Sequence, residues 1–92
     1  MSGFTWDNEK RLANLRKHGI DFVDASTIFS GDTITVEDDR YDYGERRFIT
    51  LGLMKGHLIA VVHSERGHTT RIISARKATT YEQIVYFQHF ND

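Results

Sequence analysis

The sequence predicts an α+β domain: two N-terminal helices, a four-stranded, mainly antiparallel sheet and a C-terminal helix. Three observations predict it. Residues 7–31 place apolar side chains at helical spacing between cap and stop signals. Residues 33–77 switch to a period of two, broken by short turns. Thr79 and Glu82 then spell a Thr-x-x-Glu capping box ahead of one more amphipathic stretch.

Asp7 is the expected cap of a first helix running to His18, with Leu12 and Leu15 on one face. Lys10, Arg11, Asn14, Lys17 and His18 share a neighbouring arc, and Gly19 supplies the left-handed stop. Asp21 and Asp24 suggest a weak capping box for a second helix, with Ile20 stapled onto Ala25. Its stripe is Phe22, Ala25, Ile28 and Phe29, and Gly31 ends it. Strands follow at 33–36, 46–53, 58–63 and 70–77, the third being the most apolar and therefore central. Lys55-Gly56 and the segment 65–68 are the turns of an antiparallel meander, and 37–45 is a loop. The last helix carries Tyr81, Ile84, Val85, Phe87 and Phe90. Tyr41, Tyr43, Tyr81 and Tyr86 are read first as core aromatics, with base stacking as the alternative for one of the last two.

Ninety-two residues suffice for one domain, 1–92, with a modest core. There is no cysteine, so neither a disulfide nor a thiolate metal site is available. The N-terminus lacks the basic start and apolar run of a signal peptide. The longest apolar run, 58–62, is too short for a bilayer, so no membrane association and a cytoplasmic location are expected. The net charge of −1 conceals segregation along the chain. Residues 32–45 hold six acids and one base, whereas 63–77 hold four bases and one acid.

That basic stretch carries the chemistry. Arg66, Arg71, Arg76 and Lys77 are opposed only by Glu65, and His63 and His68 add conditional charge. Guanidinium groups are planar, permanently charged and shaped for phosphate oxygens. Singly, each arginine reads as a solvated strand residue; together they point to an anion site. Arg71 and Arg76 differ in parity, so a regular strand turns them to opposite faces. Either a bulge realigns them or Arg76 works from the loop before the last helix, and the nearness of the Thr79 cap favours the loop. Lys17 and His18 either complement the carbonyl end of their helix or reach toward the strand arginines. The spacing His63-x-Glu65-x-x-His68 matches no zinc pattern, and no metal or cofactor is expected.

Several of these residues carry a family resemblance. Phe4-Thr5-Trp6-Asp7, Lys10 and Ala13-Asn14-Leu15-Arg16-Lys17-His18-Gly19-Ile20 resemble the opening of the BrnT toxins of bacterial type II toxin–antitoxin systems. Phe22, Ala25 and Phe29 follow in the same manner, as do Arg47-Phe48-Ile49 and Leu51-Gly52. Glu65-Arg66-Gly67 and the block Arg71-Ile72-Ile73-Ser74-Ala75-Arg76-Lys77-Ala78-Thr79 complete the likeness. The resemblance implies a RelE-like fold, a toxic ribonuclease activity and a BrnA-like antitoxin with a ribbon-helix-helix domain. Operator DNA would be bound only through that antitoxin. It implies Lys17, His18, Arg71 and Arg76 as catalytic and Glu65 and Arg66 more weakly; Lys77 and His63, from the basic stretch itself, join these two as weaker substrate-binding candidates. The loop 37–45 departs from the family in being acidic and tyrosine-rich, which argues against RNA contact by the loop and leaves open a role in antitoxin binding.

The expected reaction is metal-independent attack of an RNA 2′-hydroxyl on the adjacent phosphorus. Arginines would stabilise the extra charge on the phosphoryl oxygens. His18, His63 and Glu65 are the candidate bases. The competing class is a non-catalytic module that pairs with an acidic or ribbon-helix-helix protein. Direct DNA binding is disfavoured, because no helix offers several base-reading side chains.

Overall fold

The computed structural model describes residues 3–40 and 42–91. Tyr41, one of the expected core aromatics, lies outside them. The elements are β1 (Gly3–Thr5), α1 (Asn8–His18), α2 (Phe22–Ala25), which continues as a 3-10 turn over Ser26–Ser30, β2 (Ile34–Asp38), β3 (Arg47–Met54), β4 (His57–Arg66), β5 (Thr69–Lys77) and α3 (Thr80–Phe90).

The strands form one mixed sheet in the order β1-β5-β4-β3-β2. The expected meander β2-β3-β4-β5 is antiparallel, and apolar β4 lies at its centre. A fifth strand was not anticipated: Gly3–Thr5 pairs in parallel with Thr69–Arg71. Three exposed residues have no alternation to betray a strand, so only the neighbouring edge reveals it.

Two apolar layers sandwich the sheet. On one face Ile20, Phe22, Ala25 and Ile28 pack on Ile59, Val61, Ile72 and Ala75. Burying a side chain such as Phe22, with no exposure, contributes about 2–3 kcal/mol. On the other face Tyr86 of α3 covers Leu51 and Ala60, and its hydroxyl donates to the Asp32 carbonyl at 2.9 Å. α3 covers that face incompletely. Tyr81 is 75% exposed, which corrects its reading as a core aromatic, whereas Tyr86 is buried.

The caps at Asp7 and Thr79 form as read, the latter as a complete box with Glu82. Asp21 accepts from the Val23 amide rather than forming a reciprocal box with Asp24. In α1 the buried residue is Asn14, while Leu12 and Leu15 stay about 40% exposed. The cause is the outer edge of β5 beyond β1. There Asn14 takes the place of a strand, donating to the Ala75 carbonyl at 2.9 Å and accepting from the Ala75 amide at 3.1 Å. A polar side chain satisfies backbone groups that a leucine would leave unpaired.

Arg76 does not leave the strand, which corrects the expectation of a loop position. It pairs with Ala60 inside β5, and a register shift falls at Val62/His63, opposite Ile72–Ser74. Ile72 and Ala75, three apart, both reach the α1-side core because of that bulge. Their neighbours Arg71 and Arg76 are thereby turned together onto the α3 face.

Candidate functional site: an arginine cluster on the α3 face

The eight residues singled out from the sequence separate into distinct environments. Arg71 and Arg66 stand at one end of the α3 face, joined by Glu45. Arg76 stands on the same face about 16 Å along the strand, at ~3.3 Å per residue. Its guanidinium holds the Glu82 carboxylate in a bidentate pair at 2.7 and 3.0 Å, docking β5 to the first turn of α3. That hydrogen-bonded partner, above all, raises the Arg76 pKa and lowers that of Glu82. Lys77 is exposed at the strand end.

Thr5 lies beside Arg71 and Asn14 bonds Ala75, so α1 advances in the same direction as β5. Lys17 and His18, on the last turn, therefore lie toward the Arg76 and Lys77 end of the sheet. Lys17 is exposed and His18 half-buried.

His63 and Glu65 belong to the opposite face. His63 is 3% exposed, stacked on Phe48 and met edge-on by Phe29. Its Nδ1 lies 2.6 Å from the Glu65 carboxylate and its Nε2 2.7 Å from the Thr50 hydroxyl. Thr50 in turn meets the Thr35 hydroxyl at 2.7 Å, and Thr70 donates to the second Glu65 oxygen at 2.9 Å. A carboxylate only accepts, so Nδ1–H donates to Glu65 and Nε2 accepts from Thr50 when the ring is neutral. Burial lowers the His63 pKa below 6.5, against the opposing pull of Glu65. Both ring nitrogens are engaged inside the sheet, so His63 has none to offer a substrate.

Around Arg71 the structure adds residues that the sequence did not single out. Arg47 lies opposite Asp38 at the end of the β2–β3 ladder. Its Nε is 3.6 Å from Glu45 Oε2, and its Cζ lies 4.1 Å from the centroid of the Tyr43 ring. Arg66 reaches Glu45 Oε1 at 3.5 Å and Arg71 reaches Oε2 at 3.7 Å. Three guanidiniums thus surround one carboxylate, leaving the cluster net positive. Arg47-Phe48-Ile49 was part of the family likeness, but only the register of β3 beside β4 and β5 brings Arg47 to Arg71. Nearby, Arg40 forms a bidentate pair with Asp38 at 2.8 and 3.1 Å, and Tyr43 donates to Asp38 at 3.1 Å. The Arg40 pairing, chiefly, lowers the Asp38 pKa to about 2.

A small protein that concentrates guanidiniums on a strand face, flanked by a short C-terminal helix, is arranged to hold anions. The sequence profile of "Ribonuclease toxin, BrnT, of type II toxin-antitoxin system" matches residues 6–82. The chain belongs to the BrnT family. The 1.1 Å crystal structure of the Brucella abortus ribonuclease toxin BrnT is similar, with a TM-score of 0.64 and 28% sequence identity. The similarity covers 87% of this chain and 100% of the Brucella chain. No curated protein matches the sequence. As a BrnT-family ribonuclease toxin of a type II system, the protein has an antitoxin as its expected partner. No helix among the described residues is long and apolar enough to cross a membrane.

Proposed function

We propose that this BrnT-family protein is a metal-independent, cytoplasmic endoribonuclease whose phosphate-binding centre is the Arg71 cluster. The observation that carries the reading is the convergence of Arg47, Arg66 and Arg71 on a single carboxylate, with two guanidiniums in excess. In the proposed reaction the RNA 2′-oxygen bonds to phosphorus as the bond to the 5′-oxygen breaks. The 2′-hydroxyl proton goes to a base, and the departing 5′-oxygen takes up a proton. The products are a 2′,3′-cyclic phosphate and a 5′-hydroxyl. Guanidiniums aimed at the phosphoryl oxygens stabilise the charge that accumulates there, typically the largest contribution in such a site.

Arg76, Lys17 and His18 are assigned to the far end of the same RNA path, where they hold the strand. Of the three candidate bases, His63 is withdrawn into the sheet and Glu65 is occupied by His63 and Thr70. His18 is partly solvent-accessible but stands at the far end of the sheet, out of reach of a 2′-hydroxyl at the Arg71 cluster, so none of the three is assigned as the base there. A BrnA-like antitoxin with a ribbon-helix-helix domain would neutralise the toxin and alone contact operator DNA.

RNA cleavage by the purified protein, with and without EDTA, tests the proposal beside Arg71→Ala. Cleavage that survives EDTA and falls by roughly a hundredfold or more in the variant is expected, the loss typical of one charge-stabilising donor. Equal cleavage of RNA carrying a 2′-deoxy residue at the cut site refutes 2′-hydroxyl attack. The second reading, a protein-binding module without chemistry, draws on the apolar side chains that α3 leaves exposed, Tyr81, Ile84, Phe87 and Phe90. RNA left intact under every condition, with tight antitoxin binding, favours it.

A further inference from the structure

Among the described residues, four arginines each close on one carboxylate with two short contacts. Arg11 with Asp21 measures 2.8 and 2.9 Å, Arg40 with Asp38 2.8 and 3.1 Å, Arg46 with Glu37 2.8 and 3.1 Å, and Arg76 with Glu82 2.7 and 3.0 Å. Glu45 behaves differently. Its three guanidinium contacts are all long, at 3.5, 3.6 and 3.7 Å, beyond the range of an N–H···O hydrogen bond. Glu45 Oε1 and Arg47 Nε are both buried without a hydrogen-bond partner among the described residues.

The mismatch is geometric. A carboxylate offers two oxygens with about four acceptor sites, all near one plane, too few and too flat for three guanidinium forks. Three forks arriving from β3, β4 and β5 require acceptors that diverge in space. The oxygens around a tetrahedral phosphorus diverge in that way, and phosphate is the other group that guanidiniums grip bidentately. Glu45 follows Gly44, whose φ of 75° is the left-handed conformation that glycine adopts without steric cost. Arg66 is itself 71% exposed on the β4–β5 hairpin.

We propose that Glu45 is the internal occupant of a phosphate site formed by Arg47, Arg66 and Arg71, and that a nucleic-acid phosphodiester binds there by displacing it. The segment 42–46 is then an intramolecular plug that lowers the toxin's affinity for polyanions in general. The plug regulates the site assigned above to RNA cleavage, and its biological meaning rests on that assignment. Its binding prediction is independent of any chemistry.

The test is calorimetric titration of the full chain with a short single-stranded oligothymidylate, which lacks the 2′-hydroxyl and so is not cut. Glu45→Gln should bind at least about tenfold more tightly than wild type, since the carboxylate charge that opposes an incoming phosphate is removed. Glu45→Asp, which retains the charge but draws it back by one methylene, should give a smaller gain and decides the matter if the Gln variant does not fold. Adding Arg71→Ala to either variant should abolish the gain. Unchanged or weaker binding in both variants overturns the plug, as does a gain that survives loss of Arg71. RNA cleavage measured in parallel separates the two claims. Tighter binding with no cleavage by any form sustains the plug and refutes the ribonuclease reading. Cleavage lost in Glu45→Gln at unchanged affinity makes Glu45 a participant in the reaction and overturns the plug.

Discussion

His63 links β2, β3, β4 and β5 through Thr35, Thr50, Glu65 and Thr70, and each hydroxyl and ring nitrogen in that chain has one consistent role when the ring is neutral. Burial holds the folded-state pKa below 6.5, so the unfolded chain takes up the proton first as pH falls. The contribution to stability is therefore complete above 6.5 and declines below it. Urea midpoints should drop as pH falls below 6.5, and His63→Gln should flatten part of that drop. An identical slope in the variant would overturn that assignment. Asn14 is the second decisive residue, with three buried hydrogen bonds, to the Ile20 carbonyl and to both backbone groups of Ala75. Asn14→Ala strands those groups and should cost about 2–4 kcal/mol in urea denaturation, at roughly 1–3 kcal/mol per orphaned group. The sequence placed Asn14 on a polar arc with Lys17 and His18. Nothing in its spacing distinguished a side chain that completes a strand edge from one that faces water.

At the scale of elements, the close approach of the Ser26–Ser30 turn to β3 depends on Gly52. A Cβ there would lie 2.8 Å from Ile28 Cβ and 3.2 Å from Thr33 Cγ2. Gly52→Ala should lower the melting temperature through overpacking worth about 1–3 kcal/mol, and an unchanged melt would show that the turn yields freely. The start of α3 is held by reciprocal bonds. Thr79 Oγ1 accepts from the Glu82 amide at 3.1 Å, and Glu82 Oε1 accepts from the Thr79 amide at 2.8 Å while also holding Arg76. Thr79→Ala should therefore cost about 1 kcal/mol, typical of a lost cap, and loosen Arg76 as well. Far-UV circular dichroism melts of that variant alone and combined with Arg76→Ala measure the coupling. Both caps were legible because capping chemistry is local. The bulge opposite Val62/His63 was not, since a bulge is a property of two strands in register. It is the bulge that turns Arg71 and Arg76 to one face.

Over the whole molecule, the acidic segment is neutralised partly by its own neighbours, and Glu45 joins it to the basic stretch. Glu37, Asp38 and Glu45 of the acidic segment meet Arg46, Arg40 and the cluster of Arg47, Arg66 and Arg71. Acid stability follows from such pairs. Asp21, beside Arg11, and Asp38, beside Arg40, are held at about 2 against an ordinary 3.8, so their contribution is complete above 3.8 and is lost as pH falls through about 2. Circular dichroism across that range should show cooperative unfolding, with a smaller pH dependence in Asp38→Asn. By itself the sequence determined the α+β class, the helix caps, the central place of β4 and the family. Those depend on spacing and capping within one segment, and on residue types read in order. Only the tertiary structure decided that β1 adds a strand, that His63 and Glu65 are internal, that Arg76 is bound to Glu82, and that Arg47 and Glu45 join Arg71. Each of these is a contact between distant segments, fixed by strand register and by which face a pleat turns toward its neighbours.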